Sequence, residues 1–174
     1  GKSRNANIIK NPTEDISVGY RRSEPMHNTY AVFGLGRYGR AVATQLEAQG
    51  AEVIAIDIDE VAVEEAAPFL TVCKCADITD RKVIEQLGIA NVDTVIIAMA
   101  SNLEASVMAT MLCKEIGVPN VIAKCANETH RKILSKVGAD RVARHAVGAA
   151  DADQPRHELV EIGIAQQQRA RGEE

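Results

Sequence analysis

The chain has 174 residues, 46% of them hydrophobic and 3% aromatic, with no Trp; it can bury the core of one ordinary domain with tails to spare. A net charge of −4 and a pI near 5.6 exclude a general electrostatic attraction to nucleic acid or anionic lipid, and the few aromatics exclude a base-stacking platform. No apolar run approaches the ~18 residues of a membrane span, so no direct membrane insertion is expected and any service to a membrane goes through a partner.

Residues 1–27 are polar and aperiodic, with Pro12, Pro25 and the pair Arg21–Arg22. They read as a flexible extension. Regular patterning follows. Tyr30–Phe33 is a short apolar run ended by Gly34, as a buried strand is. Arg40–Gln49 reads as a helix stopped by Gly50. Glu52–Ile56 is a second strand. Asp59 caps a helix over Glu60–Ala67 ahead of Pro68. Thr71–Cys75 is a third strand, and Asp80–Leu87 a short helix ended by Gly88. Asp93–Ala98 is a fourth, strongly apolar strand. Asn102 caps a long helix to Ile116, Asn120–Ala126 is a fifth strand, and Asn127–Val137 a last helix ended by Gly138. After Arg141 the chain turns rich in Ala, Gln and charge. The organisation expected is therefore an extension over 1–27, a domain over 28–142 and an atypical tail over 143–174.

Strands apolar on both faces need helices above and below, and each strand–helix–strand crossover is right-handed. The alternation predicts an α/β fold: a single Rossmann-type domain with a doubly wound parallel sheet and flexible tails.

Gly34, Gly36 and Gly39 stand in the spacing G-x-G-x-x-G at the first strand-to-helix junction. The first glycine allows the tight turn, the second lets backbone approach a phosphate, and the third lets the helix pack close to the sheet. The amides opening that helix, aided by its dipole, then face an anion. Asp57 ends the second strand, near the ~20-residue offset expected of a ribose-binding carboxylate. It repels a 2′-phosphate, which leaves ATP/ADP and NAD/NADH as candidate ligands. Arg37, inside the loop, suits a polyphosphate, since a cation at a helix N-terminus is unfavourable without an anion. Asp77, after the third strand, either accepts from an adenine amino group or caps the next helix, with Asp80 the better-placed cap. Asn102 reads as a plain cap. Lys124 is a charge in an apolar strand and should face a crevice or an interface.

Cys73, Cys75, Cys113 and Cys125 form no C-x-x-C pair, and no secretory leader is evident. They read as small buried thiols, reduced in a cytosolic protein, rather than metal ligands. The histidines have neither ligand spacing nor an obvious carboxylate partner. No nucleophilic constellation can be assembled, and no metal site or catalytic residue is expected.

The strings VFGLGRYGRAVATQL, AIDIDE, CADITD, IIAMASNLEAS and LCKEIGVPNVIAKCANETHRKILSKVGADRV resemble the nucleotide-binding regulatory subunits of the Ktr and Trk potassium-uptake systems, the RCK or TrkA-N domains. The resemblance runs from about Thr29 to Val142. It implies a cytoplasmic, non-catalytic gating subunit, peripheral to the membrane through a membrane-spanning potassium transporter subunit, and assembled as a homodimer or a higher ring. By position it implies a phosphate loop of Gly34, Leu35, Gly36, Arg37, Tyr38 and Gly39, with Asp57 and Ile58 at the ribose. Asp77 and Ile78 would lie at the adenine edge, with Ala100 and Lys124 beside the ligand. After GADRV the chain continues ARHAVG, where the family has Pro-Glu and another helix. That departure argues against a sixth strand, against the pairing helix and against a full ring. Two other readings stay open: an NAD-dependent oxidoreductase domain, and a free-standing nucleotide or redox sensor.

Overall fold

The computed structural model describes residues 29–144. Six strands lie in one parallel sheet ordered β3-β2-β1-β4-β5-β6. They are β1 (Thr29–Phe33), β2 (Glu52–Asp57), β3 (Val72–Cys75), β4 (Thr94–Ile97), β5 (Asn120–Cys125) and β6 (Arg141–Arg144). Five α-helices alternate with them: α1 (Arg37–Ala48), α2 (Glu60–Ala66), α3 (Arg81–Gln86), α4 (Leu103–Glu115) and α5 (Glu128–Lys136). The order reverses between β1 and β4, so the carboxyl ends of those strands flank the crevice typical of doubly wound sheets.

Each sheet face carries its own core. Val42, Ala43 and Leu46 of α1 and Ala66 of α2 pack with Tyr30, Val32, Ile96 and Ile122 on one side. Ile84 of α3, Ala109 and Cys113 of α4 and Leu134 of α5 pack with Phe33, Val95, Ile97 and Val121 on the other. Neighbours along β1 thus serve opposite cores, which is why the strand has no polar face.

The sixth strand exists, contrary to the expectation drawn from ARHAVG. β6 pairs with β5 from Ile122↔Arg141 to Cys125↔Arg144 and runs two residues past Val142. Its start is clamped: Asp140 N donates to Val121 O at 2.8 Å, and Val121 N donates to Asp140 Oδ2 at 2.7 Å. Lys114 Nζ reaches the same carboxylate at 2.9 Å. Ala143 and Arg144 then complete a four-residue edge strand. The pairing helix that ARHAVG argued against, the tail from residue 145 onward and the 1–27 extension lie outside the described residues.

Candidate functional site

α1 begins at Arg37, three residues before the sequence-based start, and its N-terminus differs from the others. Asp59, Asp80, Asn102 and Asn127 cap α2, α3, α4 and α5 through side-chain oxygens on backbone amides. At α1 the capping position is Gly36, no side chain caps it, and its first turn holds no acid. The leading amides of a helix have no partner within it. Here they are left to the space in front of the loop.

Each glycine of the loop meets a different demand. Gly34 has φ +93°, and a Cβ there would come within 2.6 Å of Met99 Cγ. A Cβ on Gly39 would run into the Gly34 carbonyl oxygen, so helix and loop touch backbone to backbone. Gly36 has nothing within 4 Å of where its Cβ would stand, so that position faces open space. Leu35 between them is buried and anchors the loop in the α1-side core.

Asp57 is fastened to the same loop. Its Oδ2 accepts from Leu35 N at 2.7 Å and its Oδ1 from Asp59 N at 2.9 Å. A carboxylate offers about four lone-pair sites, so both oxygens retain acceptor capacity. Beyond Asp57 a cavity of about 360 Å³ opens at the carboxyl ends of β2, β3 and β4, lined in part by Ile58, Asp77, Ile78, Met99 and Asn102. The first turns of α4 add Glu104, Ala105 and Met108. Ile58 is exposed on the rim, whereas the Ile78 side chain is turned into the core. Asp77 Oδ1 accepts from Thr79 N at 2.9 Å and from Thr79 Oγ1 at 2.6 Å. Those bonds hold its carboxyl below the usual range. Asp80, as expected, is the cap of α3 and Asn102 the cap of α4.

Arg37 is exposed and makes no ion pair among the described residues. Lys124, near the carboxyl end of β5, is half-buried with its ammonium 4.1 Å from the centre of the Tyr38 ring. Burial lowers its pKa, and the ring face supplies part of the lost solvation. The pair seats β5 against the first turn of α1. Ala100 is half-buried in the turn after β4.

Met99, which follows β4 into the crevice as its position predicts, faces Gly34; sequence reasoning missed the α4 wall of the cavity, which follows no motif. It also missed Ser106 and His130, buried on α4 and α5, whose Oγ and Nε2 lie 2.8 Å apart. This pair is not a nucleophile with its base. His130 Nδ1 accepts from Ala126 N at 3.2 Å, so the neutral ring carries its proton on Nε2 and donates to Ser106. The expectation of four buried thiols fails at Cys75, which is exposed because β3 is an edge strand; Cys113 and Cys125 are buried.

The sheet order, the uncapped glycine-loop helix and the acid ending β2 define a Rossmann-type domain. A model of the TrkA-N domain matches residues 30–145. The chain belongs to the TrkA-N domain family. It is 42% identical over 117 residues to Ktr system potassium uptake protein C of Bacillus subtilis (strain 168), covering 67% of this chain and 53% of that protein. Among solved structures it superposes on the GsuK channel bound to NAD with a TM-score of 0.61 at 15% identity, covering 69% of this chain and 22% of that one. It superposes on the Shewanella denitrificans Kef CTD in its AMP-bound form with a TM-score of 0.60 at 14% identity, covering 82% and 92%. At these identities the likeness is one of fold. The chain spans about half the length of the curated relatives it matches.

Proposed function

We propose that this chain is the nucleotide-binding part of a cytoplasmic regulatory subunit that gates potassium flow through a membrane-spanning partner. The observation that carries the reading is the α1 N-terminus: a glycine cap over open space, leading amides without a side-chain acceptor, and the carboxylate of Asp57 fastened alongside. An anion answers those amides and Arg37, and a pair of ribose hydroxyls answers Asp57. The cavity beyond Asp57 takes the base. NAD and AMP, the ligands of two structural neighbours, share the adenosine monophosphate that this arrangement suits. ATP/ADP and NAD/NADH therefore fit, whereas a 2′-phosphate meets the Asp57 charge.

The kinship with a potassium uptake protein supports the gating role. No helix among the described residues is long and apolar enough to cross a membrane, so an ion pathway belongs to the partner in this reading. The Ser106–His130 orientation supports a role without catalysis, because a histidine already donating to the hydroxyl does not accept its proton.

A thermal-shift panel of ATP, ADP, AMP, NAD, NADH and NADPH tests the reading. A ligand that binds only the native state raises the melting temperature by mass action. Adenine nucleotides should raise it and NADPH should do so least. No shift with any of them overturns the proposal.

A further inference from the structure

Ser106 and His130 form a brace between two elements that no motif connects. His130 is only 3% exposed, and both its ring nitrogens are committed in a fixed sense. Nδ1 accepts the amide of Ala126, the residue after β5. Nε2–H points at Ser106 Oγ, 2.8 Å away. The serine hydroxyl in turn donates to Leu103 O at 3.0 Å, the carbonyl of the first residue of α4. The result is a directional chain, Ala126 N–H to imidazole to hydroxyl to Leu103 carbonyl, whose first link, into Nδ1, needs a neutral ring. Asn127 holds the other side of the joint, its Oδ1 accepting from His130 N at 2.8 Å. The first turns of α4, fixed by this chain, also supply Asn102, Glu104, Ala105 and Met108 to the cavity.

We infer that His130 is a positioning residue whose neutral Nε2–H form ties the start of α4 to the β5–α5 joint, and that its protonation breaks the tie at Ala126 and so loosens that wall of the cavity. A second proton has one place to go, Nδ1, where it faces the Ala126 N–H donor head on. Among the described residues no acid is paired with the ring to receive the imidazolium. The elements packed there carry Glu104 on α4, Lys124 and Cys125 on β5, Glu128 and Arg131 on α5, and Arg144 on β6. None of them hydrogen-bonds or ion-pairs with the ring. Glu128, the acid on its own helix, is taken by Arg131 at 2.6 Å and by Arg144 at 3.5 Å. Burial accordingly holds the imidazole pKa below its ordinary 6.5. The sign follows by linkage. The unfolded chain takes up this proton near pH 6.5 and the folded chain only lower. The stability contributed by the brace is thus complete above about pH 6.5 and is lost as the pH falls. The brace stands on this geometry alone; only its effect on a bound ligand rests on the nucleotide reading.

The test is long-range ¹H–¹⁵N spectroscopy of the imidazoles in the labelled full chain, titrated from pH 8 to 5, with backbone amides followed in the same samples. His130 should show the Nε2–H tautomer and titrate with a midpoint below 6.5. When it does titrate, the amides of Asn102, Leu103 and Ala126 should move with the same midpoint. The opposite tautomer, a midpoint at or above 6.5, or titration without movement at Asn102 and Leu103 overturns the inference. H130Q, whose amide can donate to Ser106 but does not titrate, should lose less melting temperature between pH 7.5 and 5.5 than the parent. Equal losses also overturn it. ATP affinity across the same range reports separately on the nucleotide reading: absence of binding at every pH defeats that reading and leaves the brace standing or falling on the spectra.

Discussion

Asp57 Oδ2 accepts the amide proton of Leu35 at 2.7 Å, so the acid at the end of β2 holds the glycine loop in place whether or not a nucleotide is present. Leu35 is buried at 1% exposure, and water cannot readily take over its amide. D57A should therefore weaken adenine-nucleotide binding and also destabilise the empty domain by about 1–3 kcal/mol, the cost of stranding a buried donor. D57N, which keeps one carbonyl acceptor, should recover part of the stability but little of the affinity. Urea denaturation without ligand and calorimetry with ATP separate the two effects. Unchanged affinity in D57A removes the residue from the site, and unchanged stability removes it as the anchor of the loop.

The glycines of the loop make a second pair of opposed expectations. G39A places a methyl group against the Gly34 carbonyl, backbone that cannot swing aside. Overpacking of this kind costs about 1–3 kcal/mol, and the melting temperature should drop with or without nucleotide. G36A meets no atom within 4 Å and should melt close to the parent. Its defect should appear only as weaker nucleotide binding, because the methyl group occupies the space where a phosphate approaches. If G36A binds ATP like the parent, the phosphate lies elsewhere.

Strands β1, β2, β4 and β5 were legible because both of their faces are covered, and double burial writes itself as an unbroken apolar run. The edges were harder. β6 has four residues, two of them arginines, and owes its place to the Asp140 clamp on Val121 rather than to a pattern. Cys73 and Cys75 share one strand face, but only Cys73 packs against a core, since among the described residues no strand flanks β3 on its outer side. The early start of α1 escaped notice for a reason that bears on function. Helix starts are read from capping side chains, and this helix has none. Asp59, Asp80, Asn102 and Asn127 could all be read as caps because their oxygens do that work within the chain. Ser106 and His130 stand 24 residues apart with no periodic relation, and only the packing of α4 on α5 brings them together. Asn102 and Ser106 in NLEAS, and Asp140 in GADR, turn out to make long-range or capping hydrogen bonds. Their chemistry is structural, and it was visible as a family resemblance before it was visible as physics.

Assembly is the third expectation. On α4, Ser106, Ala109, Thr110 and Cys113 face the interior, while Val107 and Met111 are half-buried and Leu103 is 46% exposed. Leu103, Val107 and Met111 fall four residues apart along one stripe, an apolar surface that a second copy can cover. Static light scattering at micromolar concentration should report a dimer or a larger species, and L103D should shift it toward monomer. Leu103 is exposed enough for that change to spare the fold. A monomeric parent, with and without ATP, defeats this expectation.

The last prediction concerns what the loop distinguishes. A ligand shifts an equilibrium only through contacts that differ between states. Adenosine contacts at Asp57 and in the cavity are common to ATP, ADP and AMP, so discrimination among them must fall on the terminal phosphates. Arg37 lies at the first position of α1, exposed, with no ion pair among the described residues. Lys124, the other nearby cation, is half-buried over the Tyr38 ring. Its reach is restricted, whereas the Arg37 guanidinium is free to meet a phosphate two-pronged. R37A should leave AMP binding nearly intact and weaken ATP by about 2 kcal/mol or more, the scale of a lost charge-assisted hydrogen bond. The same substitution should erase any difference between the ATP and ADP forms in small-angle scattering. If R37A binds ATP as tightly as the parent and still changes shape with it, the loop is only a cradle and the phosphates are counted elsewhere.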